Sequence, residues 1–178
     1  MPSFNSHRIV LKNLLRMLQR KDIRMVEVGL GKNGVFPELL NSIPELISEY
    51  WGIDPFSPVY ATRREIRRYK NDGGDLYYLK TCKAMFRYPQ LRIIRAPSPE
   101  IAKIFPDKFF DLVFIDADHS YDAVKKDILT WLPHVKHRRF LAGHDYFHRE
   151  PGVVKAVNEI FGINFMLVKR VWIHQRRV

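Results

Sequence analysis

The sequence predicts an α/β fold: a mostly parallel, seven-stranded sheet with helices on both faces and an antiparallel C-terminal strand. Two observations predict it. Short apolar, β-rich runs alternate at least five times with segments of helical periodicity, the pattern of strands joined by crossover helices. The last two β-rich pieces, "NFMLVKR" and "VWIHQRR", have little between them, which suits an antiparallel pair. The chain has 178 residues, 46% of them hydrophobic, enough for one domain with a sizeable core and too few for two. The expected domain spans residues 1–178, with an N-terminal helix at 1–20 and the sheet-bearing core at 23–178.

Each element has its own signal. Ile9, Val10, Leu14, Met17 and Leu18 recur at helical spacing. "IRMVEVG" reads as a first buried strand and "VFPELLNSI" as the helix after it. "YWGID", Tyr50 to Asp54, is a short second strand. Helical stretches run to about Tyr88, and Tyr77, Tyr78, Phe86 and Tyr88 are expected in helix packing. "LRIIR" is a third strand. "SPEIAKIF" is a short helix with Ser98 as N-cap and Pro99 at the first helical position. "FFDLVFID" is the fourth strand. "SYDAVKKDILTWL" is its helix, capped by Ser120, with Val124, Ile128, Leu129 and Leu132 on one face. "KHRR", Lys136 to Arg139, makes the turn into a fifth strand, "RFLAGHD", and "PGVVKAVNEIF" is a further helix.

Bulk properties exclude several classes. No run of about 18 apolar residues exists, so no membrane span is expected. "HRIVLKNLLRMLQRK" mixes charge into an apolar repeat, unlike a signal peptide. A single cysteine, Cys82, rules out an internal disulfide and a cysteine-rich zinc site. A reducing cytoplasm is the expected location. The net charge of +11 suits an anionic small substrate, and it raises nucleic acid as a partner without favouring it. Arg63, Arg64, Arg67 and Arg68 form i, i+4 pairs, and Lys169, Arg170, Arg176 and Arg177 add a basic C-terminus. A solvated face is the commoner meaning of such runs. No RNA-binding motif is present, and a homo-oligomer is compatible with the sequence.

In open α/β sheets ligands bind beyond the carboxyl ends of the strands. Strand one ends in "VEVGLGKNG", where Gly29, Gly31 and Gly34 match a G-x-G-x-x-G turn. Asp54 ends strand two, twenty residues after Gly34. A carboxylate there can accept hydrogen bonds from both hydroxyls of a ribose. Glu27 just before the turn would repel a pyrophosphate, and it favours a cationic ligand such as S-adenosylmethionine (SAM) over a nicotinamide dinucleotide. A second reading makes Glu27 a structural carboxylate that ties down the loop.

The sequence resembles class I SAM-dependent methyltransferases, with matching segments from about Met25 to Gly162. It is most similar to small bacterial members with "FIDADHSY" at one strand end and "LAGHDY" at the next. "VEVGLGKNG" and "GIDPF" resemble the first two SAM-binding motifs, and "PGVVKAV" a later block. The resemblance implies a Rossmann-like sheet and SAM bound by Glu27, Gly29, Gly31, Asn33 and Asp54, with Ser98 near the adenine and Asp116 beside the ligand. Asn33 stands where relatives often have glycine, and asparagine tolerates positive φ.

Strand four delivers Asp116, Asp118 and His119, and strand five delivers His144 and Asp145. Crowded carboxylates need a compensating charge. A divalent cation such as Mg²⁺ is one solution, and zinc or iron becomes suitable once imidazoles join. Relatedness to metal-dependent O-methyltransferases implies Asp116 and Asp145 as ligands, with His144 or His119 completing the set. Asp118 can equally cap the following helix. An alcohol must lose its proton to attack a methyl group, so His119 is the first choice of base, His144 the second, and Asp116 the third catalytic candidate. The expected activity is O-methylation of a small hydroxylated molecule, a sugar or a phenolic natural product. The alternatives are an RNA or protein methyltransferase, supported only by charge, and a SAM- or nucleotide-binding module without catalysis.

Overall fold

A computed structural model of the protein describes residues 6–31, 34–57, 59 and 74–177. The elements are α1 (Ser6–Met17), β1 (Ile23–Val28), α2 (Phe36–Ser42), β2 (Ile47–Ile53), α3 (Asp75–Ala84), β3 (Leu91–Ile94) and α4 (Ser98–Ile101). They continue with β4 (Phe110–Ile115), α5 (Tyr121–Trp131), β5 (Val135–Gly143), α6 (Pro151–Phe161), β6 (Met166–Val168) and β7 (Val171–Gln175). The strands form one sheet in the order β3-β2-β1-β4-β5-β7-β6. β1 to β5 run parallel to one another, whereas β7 is antiparallel to both β5 and β6. The sequence-based expectation of a mostly parallel seven-stranded sheet is met.

Side-chain alternation along the strands splits the core into two layers. Met25, Tyr50, Leu112 and Phe114 face a layer covered by α1 and α2. Val26, Val28, Ile53, Val113 and Ile115 face a layer covered by α5 and α6. Because β2 and β4 lie on opposite sides of β1, the sheet order reverses there. This opens a crevice at the carboxyl ends of β1, β2 and β4.

Several local expectations are corrected. In α1 the core-facing stripe is Val10, Leu11, Leu14 and Leu15, while Ile9 and Met17 are exposed. In α5, Leu129 is exposed and Trp131 takes the buried place with Val124 and Ile128. Phe86 is 93% exposed beyond the end of α3 and takes no part in helix packing. Ser98 is not the N-cap of α4: Pro97 holds that position, and the Ser98 hydroxyl turns inward. Ser120 does hold the N-cap of α5, but its side chain makes no capping bond. β2 begins at Ile47, three residues before the expected start.

The largest local difference concerns Lys136 to Arg139, which lie inside β5 rather than in a turn. The β4–β5 register shifts between Phe110 and Leu112, and Arg138 has φ +59°. This is a bulge: one strand carries extra residues and bends. The bulge lets Lys136 Nζ (2.7 Å) and Arg139 Nε (3.2 Å) converge on Asp111. Arg20 Nη1 joins at 3.1 Å and the Arg24 amide donates at 3.1 Å. Asp111 has no solvent exposure, so part of the positive charge is spent inside the protein. The basic segment holding Arg63, Arg64, Arg67 and Arg68 lies outside the described residues.

Candidate active site

The crevice at the strand ends holds a cavity of about 400 Å³ lined by Gly29, Gly31, Asp54, Ser98, Asp116 and Asp127, among others. Gly29 follows β1 with φ +89°, and its amide donates to the Ile53 carbonyl at 2.8 Å. A Cβ there would lie 2.3 Å from the Asp116 carbonyl oxygen. Glycine is therefore required both by conformation and by the close approach of the β1 turn to the end of β4. Gly31 also has positive φ, at +48°, but open space around it. Asn33 lies outside the described residues.

Asp54 lines the cavity and is 6% exposed. Its carboxylate accepts hydrogen bonds from the amides of Leu30 (2.9 Å), Gly31 (2.7 Å) and Phe56 (2.6 Å). It thus clamps the glycine turn onto the end of β2, in addition to facing the cavity.

Glu27 does not line the cavity. It is 1% exposed; Oε1 accepts from the Val35 amide at 2.7 Å and Oε2 from the Tyr50 hydroxyl at 2.5 Å. Of the two readings the sequence left open, this geometry is that of the loop tether. Burial pushes the Glu27 carboxyl up to about 8, against the opposing effect of both hydrogen bonds. A carboxyl neutral near pH 7 repels no phosphate, so the charge argument from Glu27 loses its force. The raised value has a consequence for stability. Between about pH 4.5 and 8 the unfolded chain releases this proton and the folded chain keeps it. Stability must therefore fall as pH rises through that window, by at most about 1.4 kcal/mol per pH unit. Glu27→Gln keeps an acceptor for Val35 and offers a donor to Tyr50. Urea unfolding from pH 5 to 9 is expected to show that the variant gains on the wild type as pH rises. Parallel curves would mean that Glu27 is ionised in the fold.

Beside the cavity lies a cluster of acids and imidazoles. Asp116 follows β4, and His144 and Asp145 follow β5; one ligand atom from each lies within 4.8 Å of the others. Asp145 Oδ2 is 3.4 Å from His144 Nδ1 and 3.4 Å from His119 Nε2. Asp116 Oδ1 is 3.8 Å from His144 Nδ1 and 4.0 Å from His119 Nε2. Burial opposes charge on His144, but the hydrogen bond to Asp145 and the nearby Asp116 outweigh it and raise its pKa. Asp145 is lowered by the same pairing despite its own burial. Asp118 accepts from the Ser120 amide at 2.6 Å and also borders the cavity. A Cβ on Gly152 would meet the His119 carbonyl oxygen at 2.3 Å, so the start of α6 packs directly on the segment that carries His119.

Three residues were not anticipated. Glu150 sets Oε2 3.3 Å from His119 Nδ1; its position directly before Pro151, at a helix start, was the available signal. Asp127 interrupts the apolar face of α5 between Val124 and Ile128, which was also readable. His7 places its ring 4.4 Å from that of His144. Burial and the neighbouring His144 push His7 down to about 4, and its buried Nδ1 has no hydrogen-bond partner among the described residues. Nothing in the local sequence marked it.

A family profile described as "Methyltransferase domain" matches residues 39–146. "Uncharacterized protein R132" of Acanthamoeba polyphaga mimivirus is 24% identical over 163 residues, which is 89% of this chain and 68% of that protein. Among solved structures, the O-methyltransferase NovP superposes with a TM-score of 0.67 at 14% identity, over 97% of this chain and 80% of NovP. MycE methyltransferase from the mycinamycin biosynthetic pathway, in complex with Mg, S-adenosylhomocysteine (SAH) and mycinamycin VI, gives a TM-score of 0.62 at 13% identity. That match covers 95% of this chain and 49% of MycE. At these identities the likeness to the solved structures is one of fold.

Proposed function

Because the chain belongs to the methyltransferase domain family, we propose that it transfers the methyl group of SAM to a hydroxyl oxygen of a small molecule. One observation carries this reading. Asp116 both lines the cavity and belongs to the acid–imidazole cluster, so the methyl donor's site and a proton-accepting site meet at one residue.

In the proposed reaction the acceptor oxygen attacks the methyl carbon, the carbon–sulfur bond breaks, and sulfur keeps the electron pair. The hydroxyl proton goes to His119 Nε2. Glu150 faces Nδ1 and favours the tautomer that leaves Nε2 able to accept. The residues also fit a divalent cation: two carboxylates and an imidazole converge, a donor set suited to Mg²⁺, Mn²⁺ or a softer first-row metal. Asp116, Asp145 and His144 would hold it. Such a cation lowers the pKa of a bound hydroxyl and fixes its oxygen. The Mg named with MycE supports that part of the reading. The acceptor we favour is a sugar or a phenolic compound. Four of the thirty basic side chains are engaged within the fold: Asp111 pairs with Arg20, Lys136 and Arg139, and Arg176 donates to the carbonyls of Leu132, Pro133 and Val135.

Calorimetry with SAM, SAH and NAD tests the assignment. Binding of SAM and SAH without NAD is expected, and NAD binding without SAM would overturn it. A chelator is expected to abolish transfer while leaving SAH binding intact; full activity in excess chelator would remove the cation and leave acid–base chemistry alone.

A further inference from the structure

The cavity at the strand ends is acidic, and a second pocket near it is basic. Asp54, Glu100, Asp116, Asp118 and Asp127 line the first, with Lys126 as the only cation among the described residues. That balance suits a cationic ligand and repels an anion. The second pocket, also about 400 Å³, lies between the starts of α1 and α2 and the body of α3. Its wall combines Arg8, Tyr77, Lys80 and Thr81 with the buried Gly34 and Phe36, and among the described residues no carboxylate lines it.

The polar groups of this wall define what could bind. Among the described residues Lys80 makes no hydrogen bond or ion pair, so its ammonium protons are open to a ligand. Arg8 adds a permanent charge on a planar set of donors. The Tyr77 phenol is a further donor group. Thr81 is not, because its hydroxyl donates to the Tyr77 carbonyl at 2.8 Å. Two cations match a phosphate monoester, which carries a charge of about −1.5 to −2 near pH 7 and three acceptor oxygens. A carboxylate would leave about half of that positive charge unmatched. A nucleic-acid backbone calls for a groove that tracks several phosphates, whereas this is one closed-ended pocket's worth of charge.

Helix α1 ties the basic pocket to the acid–imidazole cluster. Arg8 lines the pocket, and the residue before it, His7, sets its ring 4.4 Å from that of His144. Side chains one residue apart on a helix diverge by about 100°, which puts their tips on the order of 10 Å apart. A phosphorylated sugar is long enough to bridge such a gap. One molecule can therefore hold its phosphate against Arg8 and Lys80 and bring a hydroxyl to the cluster.

We propose that this pocket binds a phosphate group of the acceptor, and that the acceptor is a sugar phosphate rather than a neutral sugar or a phenol. The inference rests on the methyl-transfer reading above and names the substrate class for it. Lys80 and Arg8 hold the phosphate, and the sugar passes His7 to reach the cluster.

Calorimetry on the SAH-saturated protein tests this with inorganic phosphate, glucose 6-phosphate and glucose. Both phosphates are expected to bind, and glucose is not. Lys80→Ala is expected to weaken both at least about tenfold, the scale of one hydrogen bond between charged groups. Lys80→Arg should restore most of that loss, and neither variant should change SAH affinity. Lys80 is exposed, so the fold does not depend on it. Failure of both phosphates to bind, or unchanged binding in Lys80→Ala, would overturn the site. Phosphate binding to the free protein that SAH displaces would overturn it as well, because the pocket would then take the carboxylate of the cofactor. Lys80-dependent binding of a single-stranded oligonucleotide, with neither small phosphate bound, would replace the sugar phosphate by nucleic acid. Phosphate binding to a protein that binds no SAH would leave the anion site standing, and would overturn the methyl-transfer reading and the acceptor role with it.

Discussion

His119→Ala is expected to slow methyl transfer by about 10²–10⁴-fold while SAH affinity stays unchanged. His119 is not among the residues that line the cavity at the ends of β1, β2 and β4. Its Nε2 faces Asp145 and Asp116, and its Nδ1 faces Glu150. Removing the imidazole therefore removes a proton acceptor and leaves the ligand pocket in place. The defect should shrink as pH rises, because hydroxide or an already ionised acceptor can replace the lost base. Glu150→Gln should show a milder version of the same profile, since it loosens the tautomer preference and keeps the ring. Rates measured from pH 6 to 10, beside calorimetric SAH binding, decide the matter. A normal rate in His119→Ala would transfer the role to His144 or Asp116. A rate loss matched by a loss of SAH binding would make His119 a structural residue of the segment under Gly152.

Asp111→Ala is expected to cost about 3–5 kcal/mol of stability, the scale of breaking a buried ion pair by deleting one partner. Asp111 is fully buried, and the side chains of Arg20, Lys136 and Arg139 are only about a quarter exposed. Without the carboxylate, three cations would crowd one another where β4 meets the bulged β5. The Arg24 amide would also lose its acceptor. Asp111→Asn should cost less, because the amide oxygen can still accept. Urea unfolding at neutral pH reads both variants. A loss under about 1 kcal/mol for Asp111→Ala would mean that water replaces the carboxylate, as it does at exposed pairs.

The sheet was legible because its strands carry their own signals: apolar runs such as "DLVFID" end at glycine or acid, and helical spacing follows each. Strand ends were legible for the same reason: Asp54 and Asp116 follow β2 and β4 and line the cavity, and His144 and Asp145 follow β5 beside Asp116. The N-terminal stripe was misjudged because Ile9 and Val10 are adjacent, and spacing alone does not say which of two neighbours faces the sheet. The bulge at Lys136–Arg139 was hidden because the carboxylate its cations meet is Asp111, 25 residues earlier than Lys136 on the neighbouring strand β4. His7 was hidden for a similar reason: only the tertiary packing of α1 brings it to His144. Asp127 was visible as an acid on an apolar face, a pattern that signals a buried carboxylate without naming its ligand.

The sheet order β5-β7-β6 also constrains the route by which the chain folds. β7 follows β6 in sequence yet lies inside it, between β6 and β5. Trp172 of β7 packs so closely on Gly143 that a Cβ there would sit 2.4 Å from the indole ring. During synthesis, β5 is therefore made well before the strand that covers its outer edge. For that interval a nine-residue strand with Phe140, Leu141 and Ala142 near its end offers unpaired amides and carbonyls to any neighbouring chain. The positive charges at Lys136, Arg138 and Arg139 lie along this same strand. Lys136 and Arg139 also hold Asp111; like charges along an open strand edge disfavour its pairing with a second copy, so with Arg138 they are placed to limit edge-to-edge pairing of two nascent chains until β7 arrives.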